Sequence, residues 1–172
     1  RLFERHGLPQ AIRSDNGAPF ASRSGVLGLS RLSTRWVALG INLERSRPGC
    51  PQDNGGHERP HQALQMKCPG ELYTASAQRY AGLPADLEYA NMPQTRRINQ
   101  HGCLRWNKHL IFISAAIASW SVGLRPRSDG LIDVYFANLL LGQLEPSTLS
   151  FIRAASGTNE ADTPTEICNL KP

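Results

Sequence analysis

Five apolar residues set three or four apart, Val26, Leu29, Leu32, Trp36 and Leu39, stand between two short strand-like runs, and this order constrains the fold more than any other feature of the chain. Their spacing gives one face of a helix over residues 26 to 39, with Gly40 as its stop. Ahead of it, a helix end over residues 1 to 8 closes at Gly7, and Ala11-Ile12-Arg13-Ser14-Asp15 suits a strand. Behind it, Ile41 to Arg45 suits another. Strand, helix and strand in so short a span predict an α/β arrangement. Asp15 is expected at the strand tip, followed by Asn16-Gly17, a pair that tolerates positive φ in a turn.

Farther on, Pro48-Gly49-Cys50-Pro51 reads as a stiff loop, and Asp53 or Asn54 as the cap of a short helix through His57, Glu58 and Arg59. Pro60 ends that helix, because it lacks a backbone donor and disfavours helical geometry in the residue before it. Residues 67 to 93 read as a linker with a weakly helical stretch from Tyr73 to Tyr80. From 94 to 145, β-type runs alternate with turns: Arg96 to Gln100, Cys103 to Trp106, Leu110 to Ser114, Ser121 to Arg125, Leu131 to Ala137 and Leu139 to Leu144. Asp129-Gly130 is a hairpin signal, and the next strand alternates, with Ile132, Val134 and Phe136 on one face and Asp133 and Tyr135 on the other. A small β-barrel or sandwich is expected here, and a mobile tail over 146 to 172, where Pro, Ser, Thr, Gly and Asn accumulate.

A length of 172 residues leaves room for one ordinary domain or two small ones. With 40% hydrophobic and 19% charged residues, the composition excludes a wholly disordered chain. The net charge of +5 is carried mostly by arginine, whose planar fork suits phosphate oxygens and favours a polyanionic partner. Cys50, Cys68, Cys103 and Cys168 form no CxxC pair and are expected to be reduced thiols. The apolar runs are too short to cross a bilayer and no signal segment stands at Arg1, so a cytoplasmic protein with no membrane partner is expected.

Ser14-Asp15-Asn16-Gly17-Ala18-Pro19-Phe20, followed by Arg47-Pro48-Gly49-Cys50-Pro51-Gln52-Asp53-Asn54-Gly55-Gly56-His57-Glu58-Arg59, resembles the second and third acidic motifs of the retroviral-integrase superfamily. The form is that of bacterial insertion-sequence transposases, with an SDNG stretch at a strand end and a later PxxPxxNGxxER stretch. On that pattern Asp15 matches the second catalytic aspartate and Glu58 the catalytic glutamate, 43 positions apart. Arg59-Pro60-His61-Gln62-Ala63-Leu64 resembles the RPHxAL segment that follows in these transposases.

The resemblance implies a DDE-type transposase or integrase acting in DNA integration and transposition, an RNase H-like core over residues 1 to 66, and a nucleoid-associated location. It implies Mg2+ or Mn2+ as cofactor, held by Asp15 and Glu58. In-line displacement at phosphorus is assisted by two such ions, which take oxygen ligands. The partners implied are DNA, as transposon ends and target, and intact transposase subunits.

Two departures from the pattern accompany the match. The first aspartate of the family lies on a strand upstream of the SDNG stretch, and these residues begin too late to include it. The ER and RPHxAL segments are fused at Arg59-Pro60, as if an internal stretch had been lost. A truncated remnant, catalytically incomplete by itself, is the expectation.

Residues 94 to 145 resemble the β-rich C-terminal module of the same transposases, comparable to the small SH3-like barrel of integrases. The phosphate contacts expected there are Arg96, Arg97, Arg105, Lys108, Arg125 and Arg127, with Arg59 added from the ER pair and stacking from Trp106 and Trp120. Binding of DNA or of intact transposase by this module, without catalysis, is the alternative function.

Overall fold

The computed structural model describes residues 2–46 and 76–154. Within the first span, α1 (Leu2–His6) ends at Gly7, whose φ of +76° lets its N–H reach the Phe3 carbonyl at 2.9 Å. Next come β1 (Ala11–Ser14), α2 (Arg31–Ala38) and β2 (Asn42–Arg45). β1 and β2 pair in parallel, in register from Ala11 with Asn42 to Ser14 with Arg45, so α2 lies in the crossover between them. Parallel neighbours require a crossover of this kind, and the strand-helix-strand reading stands.

The helix is shorter than its apolar spacing predicts. Leu27 (φ +51°) and Gly28 (φ +66°) take left-handed backbone geometry, so Val26–Gly28 forms a separate tight turn. Ser30 then starts the helix proper: its hydroxyl accepts from the Ser33 N–H at 3.1 Å, and the Ser33 hydroxyl accepts from the Ser30 N–H at 2.8 Å. Val26, Leu29 and Val37 are buried on either side of the break. Gly40 (φ +77°) closes the helix as expected.

The second span is mostly sheet. β3 (Gln94–Arg97), β6 (Ser121–Pro126), β7 (Ile132–Phe136), β8 (Leu139–Glu145) and β9 (Ser150–Arg153) form a five-stranded antiparallel sheet in the order β3-β6-β7-β8-β9. β4 (Cys103–Trp106) and β5 (His109–Phe112) form a separate hairpin, linked to the end of β3 by an isolated bridge between Ile98 and Leu104. The expected barrel is therefore not closed: among the described residues no hydrogen-bonded ladder joins β9 to β5, although the two strands come near each other. The chain is mixed α/β, dominated by this open sheet.

Strand bounds follow the sequence closely where alternation is strong. Cys103–Trp106 forms as read, and the Asp129-Gly130 pair lies in the loop between β6 and β7. The expected tail, by contrast, begins too early. Pro146, Ser147 and Thr148 are the turn from β8 into β9, which pairs from Glu145 with Ser150 to Gly142 with Arg153. Residues 76–80 are not helical, so the helical reading fails in the described part of Tyr73 to Tyr80.

One apolar cluster gathers Val26, Leu29 and Val37 of the first span with Ile98, Leu104, Ile111, Ile113, Val122, Leu124, Val134, Phe136, Leu141 and Leu144 of the second. The stretch read as a linker is also stitched to the sheet. Asp86 accepts from the Ser121 N–H (2.8 Å) and hydroxyl (2.6 Å), and Tyr89 packs where a Cβ on Gly123 would stand only 2.7 Å from its ring. Gly123 is thus the residue that lets the 86–92 segment lie flat on β6.

Candidate functional site

Asp15 stands immediately beyond the C-terminal end of β1, exposed, with one carboxylate oxygen accepting from the Gly17 N–H at 3.1 Å. The turn that follows is not built as its residues suggest, since neither Asn16 nor Gly17 takes a positive φ. Asn16 acts through its side chain instead: the amide donates to the Ser46 carbonyl at 2.7 Å. The Ser46 N–H in turn donates to the Ser14 carbonyl at 3.1 Å, and the Gly17 carbonyl accepts from Phe20 (3.0 Å) and Ala21 (2.9 Å). Asp15 is therefore held between two residues, Ser14 and Asn16, that both bond to the end of β2.

The connection from Gly17 to Leu29 is also fixed from β2. Arg45 donates to the carbonyls of Gly28 at 3.1 Å and Phe20 at 3.4 Å, and burial lowers the pKa of its guanidinium. Its strand neighbours divide by face: Arg13 and Glu44 form an exposed cross-strand ion pair at 3.0 Å, whereas Leu43 and Arg45 are half-buried. Glu58, Arg59, His57 and His61 lie outside the described residues. Asp15 is thus the described member of the expected metal-binding pair.

The six expected phosphate contacts of the β-module are all exposed, but their electrostatic settings differ. Arg97 pairs with Asp86 at 2.9 Å, and Arg127 with Asp129 at 3.0 Å and Asp133 at 3.7 Å. Arg125 lies over the Tyr135 ring, 5.2 Å from its centroid, which leaves the edge of the guanidinium open to an anion. Arg96, Arg105 and Lys108 make no ion pair among the described residues. Arg105 sits on β4, and Lys108 (φ +71°) with Asn107 (φ +44°) forms the two-residue turn between β4 and β5, so these cations are spread along the module.

Asp86 has a lowered pKa. Burial alone would raise it, but the Ser121 hydroxyl and N–H, the Leu87 N–H and Arg97 together outweigh that effect. Both tryptophans expected to stack are half-buried. Trp120 packs edge-on to Phe136 at 5.9 Å, and Trp106 lies against the core with a buried indole N–H that has no hydrogen-bond partner among the described residues. Arg45, Arg153, Asp86 and Tyr89 were not singled out by sequence reasoning; for Arg45 the only signal was a charged residue at a half-buried strand position.

No family model matches the chain. Among the described residues no helix is long and apolar enough to cross a membrane.

Proposed function

We propose that the chain derives from a DDE-type DNA transposase or integrase, with Asp15 and Glu58 as ligands of a divalent cation that serves phosphoryl transfer. One observation carries this reading: β1 and β2 are parallel neighbours, bonded from Ser46 N–H to Ser14 carbonyl at 3.1 Å, so Asp15 and the chain leading towards Glu58 leave the same sheet edge. In open α/β sheets, ligands bind outside the carboxyl ends of the strands. A cation there would polarise phosphoryl oxygens and activate the attacking hydroxyl. The Asp15 carboxylate, with one oxygen engaged by a single N–H, has the hard oxygen chemistry such an ion takes.

Asp15 and Glu58 match two of the three carboxylates that the family pattern uses, and residues 1–172 are expected to bind Mn2+ through them. Counting free Mn2+ by electron paramagnetic resonance tests the reading. Asp15→Asn and Glu58→Gln should each reduce bound Mn2+ by about tenfold or more, and variants that bind as the parent does would refute the metal role.

A second reading is favoured by Arg96, Arg105, Lys108 and Arg125, four exposed cations that no carboxylate neutralises among the described residues. On this reading the β-module binds the DNA backbone without catalysis.

A further inference from the structure

The 17–29 connection is a folded loop. Ser22 N–H reaches the Gly28 carbonyl at 3.0 Å, Gly28 N–H reaches Gly25 at 3.0 Å, and Ala21 forms a bridge with Leu29. Two arginines from distant parts of the chain hold its carbonyls. Arg45, at the end of β2, donates to Phe20 and Gly28; Arg153, in β9, donates to Ser24 at 3.2 Å.

Carbonyls accept hydrogen bonds but cancel no charge. A guanidinium has five N–H donors, and these bonds occupy two of Arg45's and one of Arg153's. Neither arginine meets a carboxylate among the described residues, and the loop contributes no acidic residue while adding the exposed Arg23. Arg45 is half-buried and Arg153 exposed; for Arg45 a cation with no counter-charge is costly, and burial pulls its pKa down. An anion with several oxygens removes that cost by taking the remaining donors, and phosphate is matched to the guanidinium fork.

We propose that Arg45 and Arg153, which bond different carbonyls of the 17–29 loop, each contact a phosphate of one nucleic-acid backbone that passes from the Asp15 turn to the β-module. The proposal rests on the reading of the chain as a nucleic-acid enzyme's descendant. It adds the path of the strand: because Arg45 is the register partner of Ser14, a phosphate on Arg45 borders the Asp15 turn. Arg153 belongs to the last strand of the sheet, so the same backbone would run from the acidic turn onto the module.

The test is anisotropy of a fluorescent DNA duplex titrated with the full chain at several salt concentrations. Arg45→Gln and Arg153→Gln should each weaken binding several-fold and lower the slope of log K against log salt by about 0.9, the value for one lost phosphate contact. Arg45→Lys should keep the slope, and Arg13→Gln, whose charge is already met by Glu44, should leave both affinity and slope unchanged. If the Arg45→Gln chain does not fold, as judged by circular dichroism, Arg45→Lys and Arg153→Gln decide.

DNA binding by the parent chain with an unaltered slope in both arginine variants overturns this site and leaves the family reading standing. Absent or salt-insensitive binding by the parent chain overturns the nucleic-acid reading itself. Displacement of the duplex by inorganic phosphate at constant ionic strength assigns the arginines to a free anion and overturns the backbone path.

Discussion

Tyr89 carries its hydroxyl between three backbone positions that are far off in sequence. It donates to the Ser121 carbonyl at 2.8 Å, lies 3.4 Å from the Tyr135 carbonyl, and accepts from the Ala137 N–H at 3.2 Å. Burial pushes its pKa up from 10.0 to about 12, with Asp86 adding to the rise and the Ala137 N–H opposing it. The folded state therefore favours the neutral phenol. Its contribution to stability is complete below pH 10 and is lost as pH rises from there through about 12, because the unfolded chain ionises first. Tyr89→Phe should cost about 1–3 kcal/mol near neutral pH, since Ala137 N–H loses its acceptor, and should remove this alkaline loss. Urea unfolding across that pH range checks both. Asp15 was legible from one motif, as the residue beyond a strand and before Asn-Gly; Tyr89, Asp86, Arg45 and Arg153 were not, because each is fixed by a distant group, Ser121 for Tyr89 and Asp86, Gly28 for Arg45 and Ser24 for Arg153, between 17 and 129 positions away.

Among the elements, β8 and β9 show how a backbone requirement decides a pairing. Gly142 has φ +152°, and a Cβ there would stand 2.2 Å from the Ile152 carbonyl, inside the ladder that holds β9. Gly142→Ala is expected to destabilise the sheet by about 2 kcal/mol or more, the sum of strained backbone and forced separation. Hydrogen exchange should show β9 amides losing protection first; unchanged protection there would contradict the packing. Strands with strong alternation were legible, as β4 and β7 show. β9 was not, because Pro146, Ser147 and Thr148 look like the start of a tail although they form a turn. The helix over residues 26 to 39 was half legible: Val26 and Leu29 of the apolar stripe are buried, but Leu32, Trp36 and Leu39 are only half-buried while Ser33, Thr34 and Val37 take the buried face, and Gly28 and the Ser30 cap decide where the helix begins.

For the whole molecule, the apolar cluster shared by Val26, Leu29 and Val37 with the sheet residues ties the Asp15-bearing span to the β-module. Composition showed that a core of some kind was affordable. That the two spans share it depends on long-range packing, which periodicity does not encode, and the open sheet where a barrel was expected has the same origin. The account turns on Asp15 and Glu58 facing one ion. Paramagnetic line broadening by Mn2+ in an amide-resolved NMR spectrum measures this directly. The amides of residues 14–17 and 57–59 should broaden together at the lowest Mn2+ concentration; broadening of one set while the other stays sharp would contradict it.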